Sequence, residues 1–223
     1  MKNLLKKFLR YMAFNKGKFK GLYLKVCRPT SEEYASFVKL HGRLHSMGVN
    51  CRFNPFVNIT DPEYVSIGNN VTLSHCNLIG HDGVVGMLNN AYNMKLDSVG
   101  KIVIGDNVFV GHGSTVLPNI TIGSNVIIAA GAMVNKDVPD GVIVGGVPAK
   151  PIGRTEDLAN RLKEKTETLP WAHIIKNRTG SFDPNVEQEL IDMRVKYFYP
   201  WLKLTDRKAY NLVTKKRQSH RFE

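Results

Sequence analysis

From Ile104 to Val138 one residue type returns every six positions without a slip: Ile104, Val110, Val116, Ile122, Ile128 and Val134 are all β-branched aliphatics. One position after each stand Gly105, Gly111, Leu117, Gly123, Ala129 and Asn135, mostly small. Three positions after each stand Asn107, Gly113, Asn119, Asn125, Gly131 and Asp137, mostly the types that best tolerate positive φ. Small or aliphatic residues recur a fourth position on, from Val108 to Val138. Six positions are three strand alternations, so the aliphatic and the residue two before it share a face, and the Asn/Gly position turns a corner between short strands. A helix needs apolar residues at i, i+3, i+4 and i+7, a poor fit to six. The pattern is a β-solenoid of hexapeptide repeats.

The remaining sequence attaches to that solenoid. The chain has 223 residues, enough for one or two domains. Cys27, Cys51 and Cys76 are odd in number and form no CxxC pair, so neither a disulfide framework nor a structural zinc site is expected and a reduced compartment is. The basic start MKNLLKKFLRYMAF lacks a signal-peptide apolar run, and no stretch of the sequence is apolar for long enough to span a membrane; the expectation is a cytoplasmic chain.

The net charge of +12 is unevenly spread. Residues 1–30 hold nine Lys/Arg and no acid, whereas residues 61–150 hold four bases and seven acids, so the solenoid itself is no polyanion-binding surface. Leu5, Phe8, Leu9 and Met12 lie on one helical face with Lys2, Lys6 and Arg10 elsewhere. That arrangement could place residues 1–26 in peripheral contact with the inner face of a membrane, but the simpler reading is a helix packed on its own subunit or a neighbour.

Thr30-Ser31-Glu32-Glu33 has the form of a capping box, opening a helix with Tyr34, Phe37, Val38, His41 and Leu44 on one face and Gly48 just past its end. His41 and His45 read as packing residues. Residues 49–61 read as an irregular lead-in. The repeat then runs through Ile67, Leu73 and Ile79 and stops, so residues 81–101 are expected as a loop that leaves the solenoid and returns. Its Asn89, Asn90, Tyr92 and Asn93 suit contact with a polyhydroxylated ligand. Beyond the exit at VIVGGVPAKPIGR, helices are expected from Thr155-Glu156-Asp157 and from Asp183-Pro184, and Lys215-Lys216-Arg217 reads as a basic tail. Clustered aromatics among the bases are missing, and nucleic acid is not an expected partner. The domain expectation is a helical segment over 1–56, the solenoid over 57–153 and a helical extension over 154–223.

The stretch IGDNVFVGHGSTVLPNITIGSNVIIAAGAMVNKDVPDGVIVGGVPAKPI at 104–152, with IGHDG at 79–83, resembles the hexapeptide-repeat acyltransferases, and more closely their sugar and polysaccharide O-acetyltransferase branch, related to galactoside, maltose and nodulation-factor acetyltransferases. The resemblance implies an all-β core, a left-handed parallel β-helix assembled as a homotrimer, with the N- and C-terminal helices outside the match. It implies acetyl-CoA as co-substrate, bound in the groove between adjacent solenoids, with the loop of one subunit reaching the neighbour. Handedness comes from the resemblance alone, since parallel crossovers are ordinarily right-handed.

Transfer of an acetyl group to a hydroxyl needs a base for the hydroxyl proton and a donor for the oxyanion. In the relatives the base is a His at the root of the loop, where His81 stands here. The position of His112 implies an oxyanion role for its backbone amide rather than its ring. Asp82 could orient a neighbouring group or merely form the corner, and Asp61 could bind acceptor hydroxyls or serve the turn before Pro62. For the donor the resemblance points to Gly111 and Ala130 against pantetheine and an aromatic, Phe109, near the reacting centre, where close relatives carry Trp. Lys136, Lys150 and Arg154 match positions that meet the CoA phosphates, although Gly153 replaces the usual arginine. The implied reaction is direct transfer to a saccharide, of capsular or lipopolysaccharide type or a precursor. N-acetylation of a nucleotide-linked amino sugar and a silent trimeric scaffold are the alternatives, and His75, His81 and His112 raise a zinc-dependent carbonic-anhydrase-like site as a further one; the CoA-type exit speaks for no metal.

Overall fold

The computed structural model of the chain describes residues 2–180 and 182–201; the basic run at 215–217 lies outside them. The chain divides into two compact units, residues 1–159 and 160–223. The first contains the N-terminal helices and the solenoid.

Four coils stack in parallel. The first comprises β1 (Ser46–Met47), β2 (Arg52–Phe53) and β3 (Asn58–Ile59); the second β4 (Val65–Ile67), β5 (Thr72–Leu73) and β6 (Asn77–Leu78); the third β7 (Ile102–Ile104), β8 (Phe109–Val110) and β9 (Thr115–Val116); the fourth β10 (Ile120–Ile122), β11 (Ile127–Ile128) and β12 (Met133–Val134). Each coil contributes one strand to each of three sheets, in the orders β1-β4-β7-β10, β2-β5-β8-β11 and β3-β6-β9-β12. The second sheet continues into β13 (Val142–Gly145), closed by the antiparallel β14 (Lys150–Arg154).

The inward positions are the aliphatics of the repeat: Ile104, Val110, Val116, Ile122, Ile128 and Val134 are all buried. Each such side chain withdrawn from water contributes about 1.5–3 kcal/mol before the entropy of ordering is counted. The corners are left-handed residues as the spacing demands, with positive φ at Asn107, Gly113, Asn119, Asn125 and Gly131. Asn70 donates to Asn107 at 2.9 Å and Asn107 to Asn125 at 3.0 Å, so one corner carries a ladder of side-chain amides. Asp137 departs from the set: its carboxylate accepts the Thr121 N–H at 2.7 Å and its φ is not positive.

The solenoid begins one coil earlier than the repeat suggests. Met47 pairs with Ile67, Phe53 with Leu73 and Ile59 with Leu78, so residues 46–59 form a full coil where an irregular lead-in is expected. Its six-residue phase is filled by Met and Phe instead of β-branched residues, and that substitution hides it. The phase also slips by one. The inward residue after Leu73 is Leu78, fully buried, and Ile79 is only half-buried. The corner Ser74-His75-Cys76 is one residue shorter than Gly111-His112-Gly113-Ser114 above it, and Cys76 fills the buried place of Ser114.

Three helices precede the coils: α1 (Lys2–Lys16), α2 (Lys20–Cys27) and α3 (Ser31–His41). Thr30 caps α3, its hydroxyl accepting the Glu33 N–H at 3.2 Å. That helix stops at Gly42 rather than Gly48, which packs against Gly68 of the next coil. Leu9, Ala13, Tyr23, Cys27, Tyr34 and Phe37 join the solenoid in one core. Glu33 ties the three helices together, accepting from Arg10 Nε at 2.7 Å and from the Tyr23 hydroxyl at 3.0 Å. His41 accepts its packing role, bonding the Phe14 carbonyl at 2.8 Å.

Between β6 and β7 the chain leaves the stack and carries a helix, α4 (Val84–Tyr92). The stem is closed at its root by an antiparallel bridge between His81 and Val99 and by the Gly100 N–H on the Gly80 carbonyl at 2.8 Å. Past the solenoid come α5 (Thr155–Glu167), α6 (Ala172–Asn177) and α7 (Glu187–Phe198). Trp171, Ile174 and Leu190 form the core of the second unit. Asp183 caps the turn before α7 by accepting the Asn185 N–H at 3.0 Å.

Candidate active site

His81 follows β6 at the corner where the chain turns out into the α4 loop. Asp61 follows β3 at the same corner of the coil below. The register of the stacked coils sets Asp61 beside Gly80, and a Cβ at residue 80 would lie 2.7 Å from both Cβ and Oδ2 of Asp61. The bare glycine is what lets the carboxylate reach over its neighbour. It does so: His81 Nδ1 stands 2.6 Å from Asp61 Oδ2. Thr60 donates its hydroxyl to the same oxygen at 2.7 Å and accepts the Gly80 N–H at 2.9 Å, so the carboxylate is held from both sides.

These contacts decide the chemistry of the pair. The Thr60 hydroxyl bond first, and the His81 bond second, hold the Asp61 carboxyl below its ordinary value. An ionised carboxylate can only accept, so Nδ1 carries the hydrogen and, in the neutral ring, Nε2 is left with its lone pair. The His81 side chain is 49% exposed and that of Asp61 22%, so the ring is open to an incoming molecule while its orienting partner is mostly covered. A fixed tautomer on a half-exposed ring is an arrangement that suits a general base.

The other expected residues fall into three places. Asp82 does not reach His81; its carboxylate accepts the Val84 N–H at 3.0 Å and starts α4. Asn89 braces the loop, accepting the Leu96 N–H at 2.8 Å, and Tyr92 at the end of α4 is exposed. His112 and Gly111 lie at a different corner, where the second sheet passes to the third. Gly111 is forced there by stacking, since a Cβ would come within 2.5 Å of the Ala130 nitrogen. Among the described residues the His112 amide N–H meets no acceptor, and its carbonyl takes the Gly131 N–H at 2.8 Å. Its ring packs edge-on against His75 at 5.2 Å between centroids. Phe109 is 44% exposed on the outer face of β8, and Ala130, Lys136, Lys150 and Arg154 are exposed. Among the described residues no group of three or more His, Cys, Asp and Glu is placed to hold a metal ion.

Within one protomer His81 and the Gly111–His112–Ala130 corner stand at opposite ends of the third sheet. Six residues separate those corners in the third coil, from Gly113 to Asn119, roughly 15–20 Å at ~3.3 Å per residue.

The pairing of Asp61 with His81 escapes a reading that starts the repeat at Ile67. Ile59 lies eight residues before Ile67, so the six-residue phase does not lead back to it, and Asp61 meets Gly80 only through the observed register of coil on coil.

The sequence model of the family "Bacterial transferase hexapeptide (six repeats)" matches residues 101–136. The chain is 41% identical over 125 residues to protein CapG of Staphylococcus aureus, covering 54% of this chain and 72% of CapG. It is 38% identical over 106 residues to YvoF of Bacillus subtilis, covering 48% of this chain and 57% of YvoF. To galactoside O-acetyltransferase of Escherichia coli the identity is 33% over 116 residues, covering 50% of this chain and 54% of that protein. The chain thus spans little more than half the length of the last two. The repeat, its parallel three-sheet stack and the extent of the match to CapG together make this chain a member of the bacterial hexapeptide-repeat transferase family.

Proposed function

We propose that this chain is an acetyl-CoA-dependent O-acetyltransferase whose acceptor is a saccharide of capsular or lipopolysaccharide type or its precursor. The observation that carries the reading is the Asp61–His81 pair at the root of the α4 loop, with the His81 side chain half-exposed. The name of galactoside O-acetyltransferase, one of the relatives, supports a sugar hydroxyl as acceptor.

In this reading Nε2 of His81 takes the proton of the acceptor hydroxyl as its oxygen attacks the thioester carbonyl of acetyl-CoA. The tetrahedral oxyanion that forms accepts the unengaged N–H of His112. As the carbon–sulfur bond breaks, the CoA sulfur leaves with the pair and takes the proton back from the imidazolium. The products are an acetyl ester and CoA, with no covalent enzyme intermediate. Asp61 stays ionised throughout and stabilises the transient imidazolium. Phe109 and the corner around Gly111 and Ala130 would flank the pantetheine arm, and Lys136, Lys150 and Arg154 would meet the phosphates.

The separation of His81 from the His112 corner gives this reading a structural requirement. A base and an oxyanion donor must both lie about 3 Å from one reacting group, and one protomer holds them a whole sheet apart. A second copy, related by the threefold axis of a cyclic trimer of left-handed solenoids, would bring the base of one protomer to the donor corner of the next. Asn89 and Tyr92 on the loop would then face the acceptor.

The test is release of CoA thiol from acetyl-CoA with a panel of saccharides and nucleotide sugars, comparing the wild type with His81→Ala. Saccharide-dependent release lost in His81→Ala, with acetyl-CoA still bound and a product cleaved by mild alkali, is the expected result. Turnover retained in His81→Ala sinks the base assignment, and an alkali-stable product moves the reading to an amide.

A further inference from the structure

The N-terminal helices use only one of their faces inside the molecule. Along α1, Leu9 and Ala13 are buried and Arg10 is engaged by Glu33. Leu4, Phe8 and Tyr11 form an outer stripe at i, i+4 and i+7, with exposures of 76%, 53% and 54%, and Leu5 flanks it. Phe19 and Leu22, at the start of α2, are exposed as well. Lys7, Lys16, Lys18 and Lys25 of the same segment are exposed too, and residues 1–30 contain no acid at all. Burial of the opposite face in the core explains why the helices are ordered; it does nothing for the outer stripe.

We propose that this outer face docks on a phospholipid bilayer that contains anionic lipid, with α1 lying in the plane of the interface. The combination decides the partner. A purely acidic polymer would be answered by the lysines but would leave Leu4, Phe8 and Tyr11 in water, whereas the headgroup–acyl boundary of an anionic bilayer takes both kinds of group at once. No helix among the described residues is long and apolar enough to cross a membrane, so the contact is peripheral. The docking rests on these two helices alone and stands whether or not the acetyl-transfer reading does. If both hold, the enzyme works beside acceptors carried at a membrane surface.

The experiment is co-sedimentation of the full chain with phosphatidylcholine vesicles, with and without a minority of phosphatidylglycerol. The wild type is expected in the pellet with anionic vesicles only, and to be partly released by salt. A Leu4→Ser/Phe8→Ser double variant should bind at least about tenfold more weakly. Charge reversal at Lys7, Lys16 and Lys18 should cost roughly fivefold or more at each position. Both variants replace exposed groups, so their circular dichroism and melting should match the wild type. Failure of the wild type to sediment overturns the proposal, as does unchanged binding of the serine variant, which would reduce the contact to plain charge attraction. A fall in oligomeric mass of the serine variant by light scattering also overturns it, because the stripe would then belong to a contact between copies.

Discussion

Replacing Asp61 by Asn removes one charge from the candidate site and leaves its shape. In the native pair the 2.6 Å contact fixes the hydrogen on Nδ1. An asparagine amide can turn either way, and when its NH2 faces Nδ1 the ring hydrogen moves to Nε2, the nitrogen that must accept. A charge-assisted hydrogen bond is worth about 1.5–3 kcal/mol; with the His81 side chain 49% exposed, the lower half of that range applies. That alone is about tenfold to fortyfold in rate, and partial occupation of the wrong tautomer takes the expected loss to roughly a hundredfold in kcat. The assay is CoA thiol release under saturating acetyl-CoA, with KM for acetyl-CoA expected within about twofold of the wild type. In the His81→Ala background the same substitution should do almost nothing further, since both changes disable one unit. Asp61→Asn turning over within about threefold of the wild type, or losing its rate additively with His81→Ala, would refute the argument. The carboxyl also has a signature in stability. Its value is depressed in the folded chain, so its stabilising contribution is present above the ordinary aspartate value of ~3.9 and lost as pH falls through the depressed one. The melting-temperature gap between the wild type and Asp61→Asn should therefore close below pH ~4.

Gly80→Ala inserts a methyl group 2.7 Å from Asp61, so it should cut kcat by about tenfold or more without touching His81, while circular dichroism reports an intact solenoid. Ile128→Ala opens a cavity in the stack and should cost about 2–5 kcal/mol in urea unfolding; a loss under about 1 kcal/mol would mean that the coils collapse around it. Asn107→Val places a β-branched residue at a φ of 57° and cuts the amide ladder on both sides, for an expected loss of about 2–3 kcal/mol by the same measurement. Cys27, Cys51 and Cys76 are all buried and free, and burial pushes the Cys76 thiol up to about 12, so a thiol reagent at neutral pH should titrate none of the three until denaturant is added. Lys150→Ala should raise KM for acetyl-CoA severalfold with kcat unchanged; an unaltered KM would remove that residue from phosphate binding.

Much of this protein is written in its period. The six-residue return of Ile and Val from Ile104 to Val134 points to the parallel stack, because three such steps make one coil and bring Ile122 onto Ile104, Ile128 onto Val110 and Val134 onto Val116. The Asn and Gly corners follow from conformational tolerance, and the Thr30 cap from side-chain chemistry that acts within one turn. His81 was legible as the residue at which the period breaks. The sequence had no means of reporting two things. The slip at Leu78 and the hidden coil at Met47, Phe53 and Ile59 depend on which side chain fills the space left by the coil above, a fact of packing and not of residue type. The Asp61–His81 pair depends on that hidden coil: residues 20 apart meet only because stacking sets coil on coil, and because Gly80 leaves room between them. The same holds for α1, where Leu5, Phe8, Leu9 and Met12 read as one face in sequence but Leu9 is buried and Leu5 and Phe8 are exposed. Only the packing of α1 against α2 and α3 decided that Leu9 and Ala13 turn inward while Leu4, Phe8 and Tyr11 stay outside.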